Sequence, residues 1–268
     1  MTVWVPVIVV MLLSGGGLIV GSFLNVVICR VPDGRSVVRP RSRCPSCSAS
    51  IAARDNIPVV SWLLLRGRCR QCAQRISWRY PLVELATMLV WLVLGGWALL
   101  GAGEPGMLPL LLVIGSAGVA LVVIDVEHHR LPDAIVLPLY PLTIAGLALS
   151  GLVSGRWAIL AALAGAGIWV LVVGLPWLVS GGRGMGFGDV KLAPVLGATL
   201  GWVSVPSAVV GLFAGFVLGA LVGGALMLLG RAGRRTALAF GPFLIVGAFL
   251  GLLVGLPLAQ AYWQWLSA

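Results

Sequence analysis

Residues 3–28 read VWVPVIVVMLLSGGGLIVGSFLNVVI, an apolar run without a single charged side chain. A helix needs about 20 apolar residues to cross the hydrocarbon core of a bilayer, so this run is long enough to span it. The run lacks the basic start and the small-residue cleavage site of a removable signal peptide. We therefore predict that it forms a retained first transmembrane helix.

Further apolar runs fill most of the remaining chain. Hydrophobic residues make up 60% of the 268 residues and charged residues only 10%, which excludes a water-soluble globule. Long continuous runs with 37 glycines favour helices packed through small residues over the alternating strands of a β-barrel. We predict an all-α polytopic membrane protein with about eight transmembrane helices. The seven later runs are at about 81–101, 107–126, 134–153, 157–180, 189–202, 205–229 and 238–263. The shortest is 189–202, which is the sixth span counted from the N-terminus.

The basic residues indicate how the chain is oriented. Eleven of the 18 lie in residues 30–80, the only sizeable polar stretch, and eight spans place 17 of the 18 on one side, with Arg156 on the other. Loops rich in Lys and Arg stay in the cytoplasm, so both termini are predicted outside. The net charge of +10 comes largely from this cluster, which is an orientation signal beside a membrane span. The predicted partner is therefore the lipid bilayer, and no nucleic-acid partner is predicted. We divide the chain into a first transmembrane helix (1–29), a cytoplasmic segment (30–80) and a transmembrane domain (81–268).

Four cysteines of the cytoplasmic segment form two C-x2-C pairs that are separated by 21 residues. They are Cys44, Cys47, Cys69 and Cys72. Two such turns supply the four thiolates of a closed structural zinc site. Free thiols or two disulfides are the alternatives, and a reducing cytoplasm disfavours the disulfides. We predict a four-cysteine zinc site that stabilises a small insertion between the first two transmembrane helices.

Two aspartates lie where a carboxylate at membrane depth is costly and therefore a candidate for function. Asp125 ends the third span, where the helix dipole disfavours negative charge, and a salt bridge with Arg130 is the structural alternative. Asp189 ends the sequence GMGFGD at 184–189, where helix capping is the alternative. The glycines at alternate positions allow close approach of another backbone, which suits an extended substrate.

The predicted topology places both aspartates at the cytoplasmic membrane face. Two adjacent carboxylates hold one proton between them, so one can activate water as a base while the other acts as an acid. This is aspartic protease chemistry. We expect the flexible loop Gly184–Gly188, which includes Gly186, to admit the substrate. Three further residues are candidates for tuning the pair, although Asp133 is also predicted to cap the fourth span: Glu127, Asp133 and Lys191.

Several blocks of sequence together resemble the bacterial type IV prepilin peptidases, which are GxGD-type membrane aspartic proteases. The resemblance covers almost the whole chain. It rests on GSFLNVVI at 21–28, NIPVVSWL at 56–63, RYPLVEL at 79–85, the spacing from Asp125 to LPD at 131–133, and GFGDVK at 186–191. Together these blocks are far more specific than any one of them.

The resemblance implies that Asp125 and Asp189 are the catalytic aspartates of an endopeptidase in the bacterial inner membrane. Family members remove the leader from prepilins and pseudopilins, the substrates of type IV pilus and type II secretion machines. Many then methylate the new N-terminus with S-adenosylmethionine, using the segment between the first two helices, and members with four cysteines there bind zinc. The stretch 30–44 is short compared with many two-activity members, so a peptidase without methylation is the alternative.

Two readings outside this family remain. A transporter would carry its charges near the bilayer midplane on helices broken in repeated halves, and the halves of this sequence do not match. A non-enzymatic, zinc-stapled assembly factor would need the cysteine segment but not both aspartates. The sequence indicates no oligomeric state.

Overall fold

The computed structural model describes residues 4–44, 46–100, 103–182, 185–231, 233 and 238–267. These residues form nine α-helices and three short 3-10 turns, and no β-strand among them is longer than an isolated bridge. The all-helical fold is therefore confirmed. The helices are α1 (Trp4–Arg30), α2 (Val60–Leu64), α3 (Arg79–Leu99), α4 (Leu108–His128), α5 (Asp133–Ser154), α6 (Ile159–Val179), α7 (Phe187–Val203), α8 (Val205–Leu228) and α9 (Gly241–Ser267). The 3-10 turns are Val31–Asp33, Ala53–Asp55 and Pro105–Met107.

Each of the eight apolar runs forms a helix, and the short α2 lies inside the polar segment. Within the described residues, seven helices are long and apolar enough to cross a membrane, namely α1, α3, α4, α5, α6, α8 and α9. The sixth predicted span is α7, whose 17 residues stand at the lower limit of about 17 for a transmembrane helix. Arg183, Arg234 and Arg235, which contribute to the predicted orientation, lie outside the described residues.

The chain divides into two compact units. Unit 1 comprises Met1–Leu100 and Leu111–Val123, and unit 2 comprises Gly101–Leu110 and Ile124–Ala268. Helix α4 therefore contributes its middle to unit 1 and both of its ends to unit 2.

Helices α1 and α3 pack together in unit 1 through small residues. Gly17 and Gly21, one turn apart on α1, face the backbone of Met88 and Glu84 on α3. A Cβ atom at Gly21 would lie 2.6 Å from the Cα atom of Glu84, so only glycine permits this approach. Membrane helices associate through such close backbone contacts because lipid provides no hydrophobic driving force between them.

Helix α7 is the centre of unit 2 and contacts α5, α6, α8 and α9. Ten of its 17 residues are buried, which explains why its apolar run can be short. Its backbone meets that of α6 where Gly197 faces Gly165, and a Cβ atom at Gly197 would lie 2.5 Å from the Gly165 carbonyl oxygen. Helices α8 and α9 cross through glycines in the same way, with Gly211 against Gly251.

A polar network in unit 2 connects the segment before α4 with the C-terminal ends of α5 and α7. The Glu104 carboxylate accepts hydrogen bonds from the Ser150 hydroxyl at 2.7 Å and from the Trp202 indole N–H at 3.2 Å. It also pairs with Arg156, the basic residue that is predicted to lie outside. Arg156 in turn donates to the carbonyl oxygens of Trp202 and Val203, the last residues of α7.

Candidate functional site

Asp125 lies one turn before the end of α4 and is 5% exposed. The helix ends because His129 adopts the left-handed conformation, with φ of 50°, and donates its N–H to the carbonyl oxygen of Asp125 at 2.8 Å. The Asp125 carboxylate accepts the backbone N–H of Gly241, the first residue of α9, at 3.1 Å. This hydrogen bond comes from an uncharged backbone group.

Asp189 is the third residue of α7 and is 6% exposed. Gly186 occupies the N-cap position, so the interpretation of Asp189 as the capping residue is wrong. The backbone N–H of Asp189 donates to the Gly186 carbonyl oxygen at 3.1 Å. The Oδ1 atom of Asp189 is buried and has no hydrogen-bond partner among the described residues. Buried polar atoms normally have a hydrogen-bond partner. Because Oδ1 has none among the described residues, it is available to a water molecule or a substrate.

One leucine side chain connects the surroundings of the two aspartates. A Cβ atom at Gly188 would lie 2.9 Å from the Cβ atom of Leu131, and a Cβ atom at Gly241 would lie 3.3 Å from its Cδ2 atom. Leu131 therefore lies between the neighbour of Asp189 and the hydrogen-bond donor of Asp125. The two carboxylates are close enough for their charges to interact. The structure thus brings the two predicted carboxylates together within unit 2.

Two glycines leave no room for a side chain beside these carboxylates. A Cβ atom at Gly186 would lie 2.9 Å from Oδ2 of Asp189, and a Cβ atom at Gly241 would lie 2.7 Å from Oδ2 of Asp125. Gly186 was expected from the alternating glycines, whereas Gly241 was not among the predicted site residues. Its signal is the pair Gly241–Pro242 at the start of α9, which resembles an ordinary helix beginning. Gly184 lies outside the described residues.

The three residues proposed to tune the pair are placed differently. Asp133 is the first residue of α5 and Pro132 occupies the N-cap position, so the prediction that Asp133 caps this helix is wrong. Its carboxylate instead binds Nζ of Lys191, at 2.7 and 2.9 Å. Lys191 also lies 4.6 Å from the ring centroid of Phe187. This ion pair joins the starts of α5 and α7. Glu127, the third candidate, has an exposed side chain.

The four cysteines of unit 1 are brought together by two turns of the same form. In the first turn, the backbone N–H of Ser48 donates a hydrogen bond to the carbonyl oxygen of Cys44 at 2.9 Å. In the second, the N–H of Ala73 donates to the carbonyl oxygen of Cys69 at 3.0 Å. Ser48 and Ala73 have nearly equal left-handed φ values of 56° and 57°. An isolated β-bridge closes each turn, Arg43 with Ser50 and Arg68 with Arg75.

The sulfur atoms fit a tetrahedral metal site. All four Sγ atoms lie within 4.8 Å of one another, and those of Cys44 and Cys72 are 3.8 Å apart. Zinc–sulfur bonds of about 2.3 Å place the sulfurs of a tetrahedron about 3.8 Å apart. Backbone N–H groups of Cys47 and Ser46 lower the pKa of Cys44 to about 6, which favours the thiolate of this residue. Desolvation and hydrogen bonds with the other cysteines raise the pKa of Cys72 to about 11. The predicted cluster is confirmed as a set of four cysteines placed to bind a metal ion.

Comparisons with known proteins cover nearly the whole chain. Residues 16–97 match the family described as Bacterial Peptidase A24 N-terminal domain, and residues 110–259 match the Type IV leader peptidase family. No solved structure matches the chain.

Similar proteins named "Prepilin leader peptidase/N-methyltransferase" extend this result. The protein from Stutzerimonas stutzeri is 37% identical over 280 residues, which covers 92% of this chain and 91% of the relative. The Aeromonas hydrophila protein is 37% identical over 91% of this chain and 90% of its own length. The protein from Pectobacterium carotovorum subsp. carotovorum is 38% identical over 89% and 90%. This chain therefore belongs to the type IV leader peptidase family.

Proposed function

We propose that this protein is a membrane-embedded aspartic endopeptidase that removes the leader from type IV prepilins and then N-methylates the new N-terminus. The observation that carries the peptidase proposal is the pair of buried carboxylates, Asp125 and Asp189, which interact within one unit. The name that the relatives share joins both activities and supports the second one. The alternatives are a peptidase without methylation and a non-enzymatic assembly factor.

The cleavage step uses the two aspartates as a base and an acid. One carboxylate removes a proton from a water molecule whose oxygen attacks the carbonyl carbon of the scissile bond, and the other carboxyl group protonates the carbonyl oxygen. The resulting diol then collapses, its C–N bond breaks, and a proton passes to the leaving amine. The unpartnered Oδ1 of Asp189 is a suitable contact for the water molecule or the carbonyl group.

The proposed setting is the bacterial inner membrane, with both termini outside and residues 30–80 and the aspartates at the cytoplasmic face. A prepilin has a polar leader followed by an apolar helix, so its scissile bond lies at the membrane boundary. Asp125 and Asp189 lie at the end of one apolar helix and the start of another, where such a bond would be within reach. The proposed substrate loop precedes α7 and ends at Gly186, whereas Gly188, which was expected in the loop, lies in the first turn of the helix.

Two further groups belong to the proposal. Cys44, Cys47, Cys69 and Cys72 would hold a structural zinc ion, because four thiolates leave no open coordination position for catalysis. S-adenosylmethionine would supply a methyl group activated by its positively charged sulfur. Residues 30–80 are the proposed location of methyl transfer.

Mass spectrometry tests both activities on one substrate. The full-length protein is incubated with a synthetic prepilin peptide that contains the leader, the junction and the apolar segment, with and without S-adenosylmethionine. We expect loss of the leader in both reactions, and one added methyl group only when the donor is present. Leader loss without a methyl group would favour the peptidase-only alternative. An intact substrate beside folded protein would contradict the peptidase proposal.

The glycine beside Asp125 provides a sharper test of the site. In Gly241→Ala, the new Cβ atom would lie 2.7 Å from the Asp125 carboxylate and would displace either that group or the N–H that binds it. We expect kcat/KM for leader removal to fall by about 100-fold, because misplacing a catalytic group by about 1 Å costs this much. Initial rates with the prepilin peptide measure the effect.

A matched substitution on a neighbouring helix controls for the added methyl group. Among the described residues, no atom lies within 4 Å of a Cβ position at Gly224 on α8, so Gly224→Ala is expected to retain the wild-type rate. If Gly241→Ala cleaved the peptide within about twofold of the wild-type rate, the hydrogen bond to Asp125 would have no part in positioning the carboxylate.

A further inference from the structure

A cavity of about 520 Å³ lies in unit 1, between α1, the cysteine segment and the start of α3. Its volume falls within the range of about 300–1,000 Å³ that is typical of small-molecule sites. One end reaches Cys44 and Cys69, and the other ends at polar residues of the two packed helices. The proposed peptidase chemistry uses none of the residues that line this cavity.

Asn25 presents an unsatisfied acceptor at the helical end of the cavity. The residue is only 3% exposed, and its Nδ2 atom donates to the carbonyl oxygens of Gly21 at 3.3 Å and Tyr80 at 3.1 Å. These two bonds fix the orientation of the amide. Its Oδ1 atom is buried and has no hydrogen-bond partner among the described residues. Because a buried acceptor without a partner is costly, Oδ1 indicates a ligand that donates a hydrogen bond.

Glu84 places a carboxylate at the same end. It is 7% exposed, and its Oε2 atom accepts the backbone N–H of Val59 at 2.7 Å. Val59 has a φ of 59°, which is rare for a β-branched residue and directs this N–H at the carboxylate. The Ser22 hydroxyl is also in hydrogen-bonding range. In the described part of the chain these partners are neutral, so the Glu84 carboxylate itself can pair with a cationic group. Five arginines also line the cavity, namely Arg30, Arg43, Arg54, Arg70 and Arg75.

An aromatic wall completes the cavity. Trp62 lines it, and the indole N–H of Trp62 donates to the carbonyl oxygen of Ile76 at 3.3 Å. Its ring centroid lies 4.1 Å from that of Trp78, so the indole is held on two sides. A fixed indole face binds planar aromatic groups and also cations such as a sulfonium ion.

We propose that this cavity is the site of methyl transfer, where the sulfonium donor lies against Trp62 and the new N-terminal amine lies between Asn25 and Glu84. The inference rests on the proposed function and adds to it the residues that perform the second reaction. Asn25 and Glu84 lie in the last turns of α1 and the first turns of α3. The amine that begins an apolar helix would reach the same depth, at the membrane boundary.

The chemistry assigns a separate task to each residue. An N-terminal ammonium group has no lone pair, so the Glu84 carboxylate first accepts one of its protons, while Oδ1 of Asn25 accepts a hydrogen bond from a second N–H and orients the lone pair. The nitrogen then attacks the methyl carbon, the N–C bond forms and the S–C bond breaks. The electron pair of the broken bond stays on sulfur, which leaves as the neutral thioether of S-adenosylhomocysteine. The product is a methylated ammonium group, and the proton on Glu84 passes to water.

Donor binding is tested without any turnover, by calorimetric titration of S-adenosylhomocysteine into the full-length protein in detergent. We expect Trp62→Ala to raise Kd by at least about tenfold relative to wild type, on the order of a lost aromatic contact. Thr87→Val is the matched control, because Thr87 is fully buried one turn beyond Glu84 on α3 and lies outside the cavity lining. Unchanged binding by folded Trp62→Ala would overturn the placement of the donor.

The role of Glu84 is tested with a pre-cleaved peptide that already has a free N-terminal amine, so that failure of the peptidase cannot be mistaken for failure of methyl transfer. We expect Glu84→Gln to lower the methylation rate by at least about 100-fold, the effect of losing a general base. Its Kd for S-adenosylhomocysteine should change by less than about threefold, which a collapsed cavity would not allow. A methylation rate equal to that of Thr87→Val would overturn the role of Glu84. Absence of both donor binding and methylation in a wild-type protein that still removes leaders would overturn the whole inference.

Discussion

Asp125→Asn and Asp189→Asn should each reduce leader removal by at least about 1,000-fold, since each removes one half of the acid–base pair. Both residues are buried, and asparagine has nearly the same size as aspartate, so the packing around α4 and α7 is retained. In Asp125→Asn the amide oxygen can still accept the N–H of Gly241. The loss would therefore report on chemistry rather than on folding. Mass spectrometry of the prepilin peptide, with thermal unfolding of each variant, measures both quantities.

The double variant adds a test of the shared mechanism. Residues that act as a unit are strongly non-additive, so the double variant should be no slower than either single variant. Glu104→Gln is the control, because it changes a carboxylate at the opposite helix ends of unit 2, where Glu104 contacts Ser150 and Arg156. A single aspartate variant that still cleaved at about a tenth of the wild-type rate would remove that residue from the mechanism. The non-enzymatic assembly factor would instead be favoured if the folded wild-type protein cleaved no peptide and both aspartate variants still supported secretion or pilus assembly.

Cys47→Ser and Cys72→Ser should each lower the zinc content from about one ion per chain to nearly none. Both cysteines are exposed, so the change leaves no cavity in a core. Structural zinc contributes an apparent folding free energy of about 10–16 kcal/mol in zinc-finger peptides, and the cysteine segment has little other means of support. We expect the environment of Trp62, which is half-buried, to become solvent-like and methylation to be lost.

Metal analysis together with tryptophan fluorescence follows these changes. Cys29→Ser is the matched control, because the Cys29 thiol lies at the end of α1, outside the metal-binding cluster, where it contacts the guanidinium group of Arg79. This variant should retain the wild-type zinc content. If Cys47→Ser kept a full equivalent of zinc, the four cysteines would not be the ligands.

The helices of this fold could be predicted well because the bilayer imposes a simple condition on sequence. A span must be long, continuous and apolar, and every run that satisfied this condition forms a helix in the structure. The exact role of α7 could not be predicted from hydropathy. Its shortness follows from burial by four neighbouring helices, which depends on glycine contacts such as that between Gly165 and Gly197. Contacts with distant segments of the chain leave no periodic hydropathy pattern within a helix, so the burial of α7 is not visible in its own sequence.

Candidate site residues could be proposed from sequence where a residue is unusual in its own surroundings. Asp125 and Asp189 are conspicuous because ionisable groups are rare at membrane depth. The error at Asp133 has the opposite origin, since an aspartate at a helix start normally indicates capping. Its real partner, Lys191, lies 58 residues away, and Pro132 already occupies the N-cap position.

The meeting of the cavity residues could not be predicted from sequence either, because they are distant in the chain. The sequence blocks that contain Asn25, Val59 and Glu84 support the family resemblance, but they did not indicate that these residues meet. The left-handed conformation of Val59 is invisible in sequence, because valine rarely adopts it. Only the packed helices α1 and α3 reveal that an unsatisfied amide oxygen and a carboxylate line one cavity.

The hydrogen bond from Gly241 to Asp125 joins residues that are 116 positions apart, and it has a consequence for biosynthesis. A membrane protein is made from its N-terminus, so α4 enters the bilayer long before α9 leaves the ribosome. During that interval Asp125 has no Gly241 to hold its carboxylate, and the protease is incomplete. Insertion of α9 would therefore be the step that completes the hydrogen bonding of Asp125.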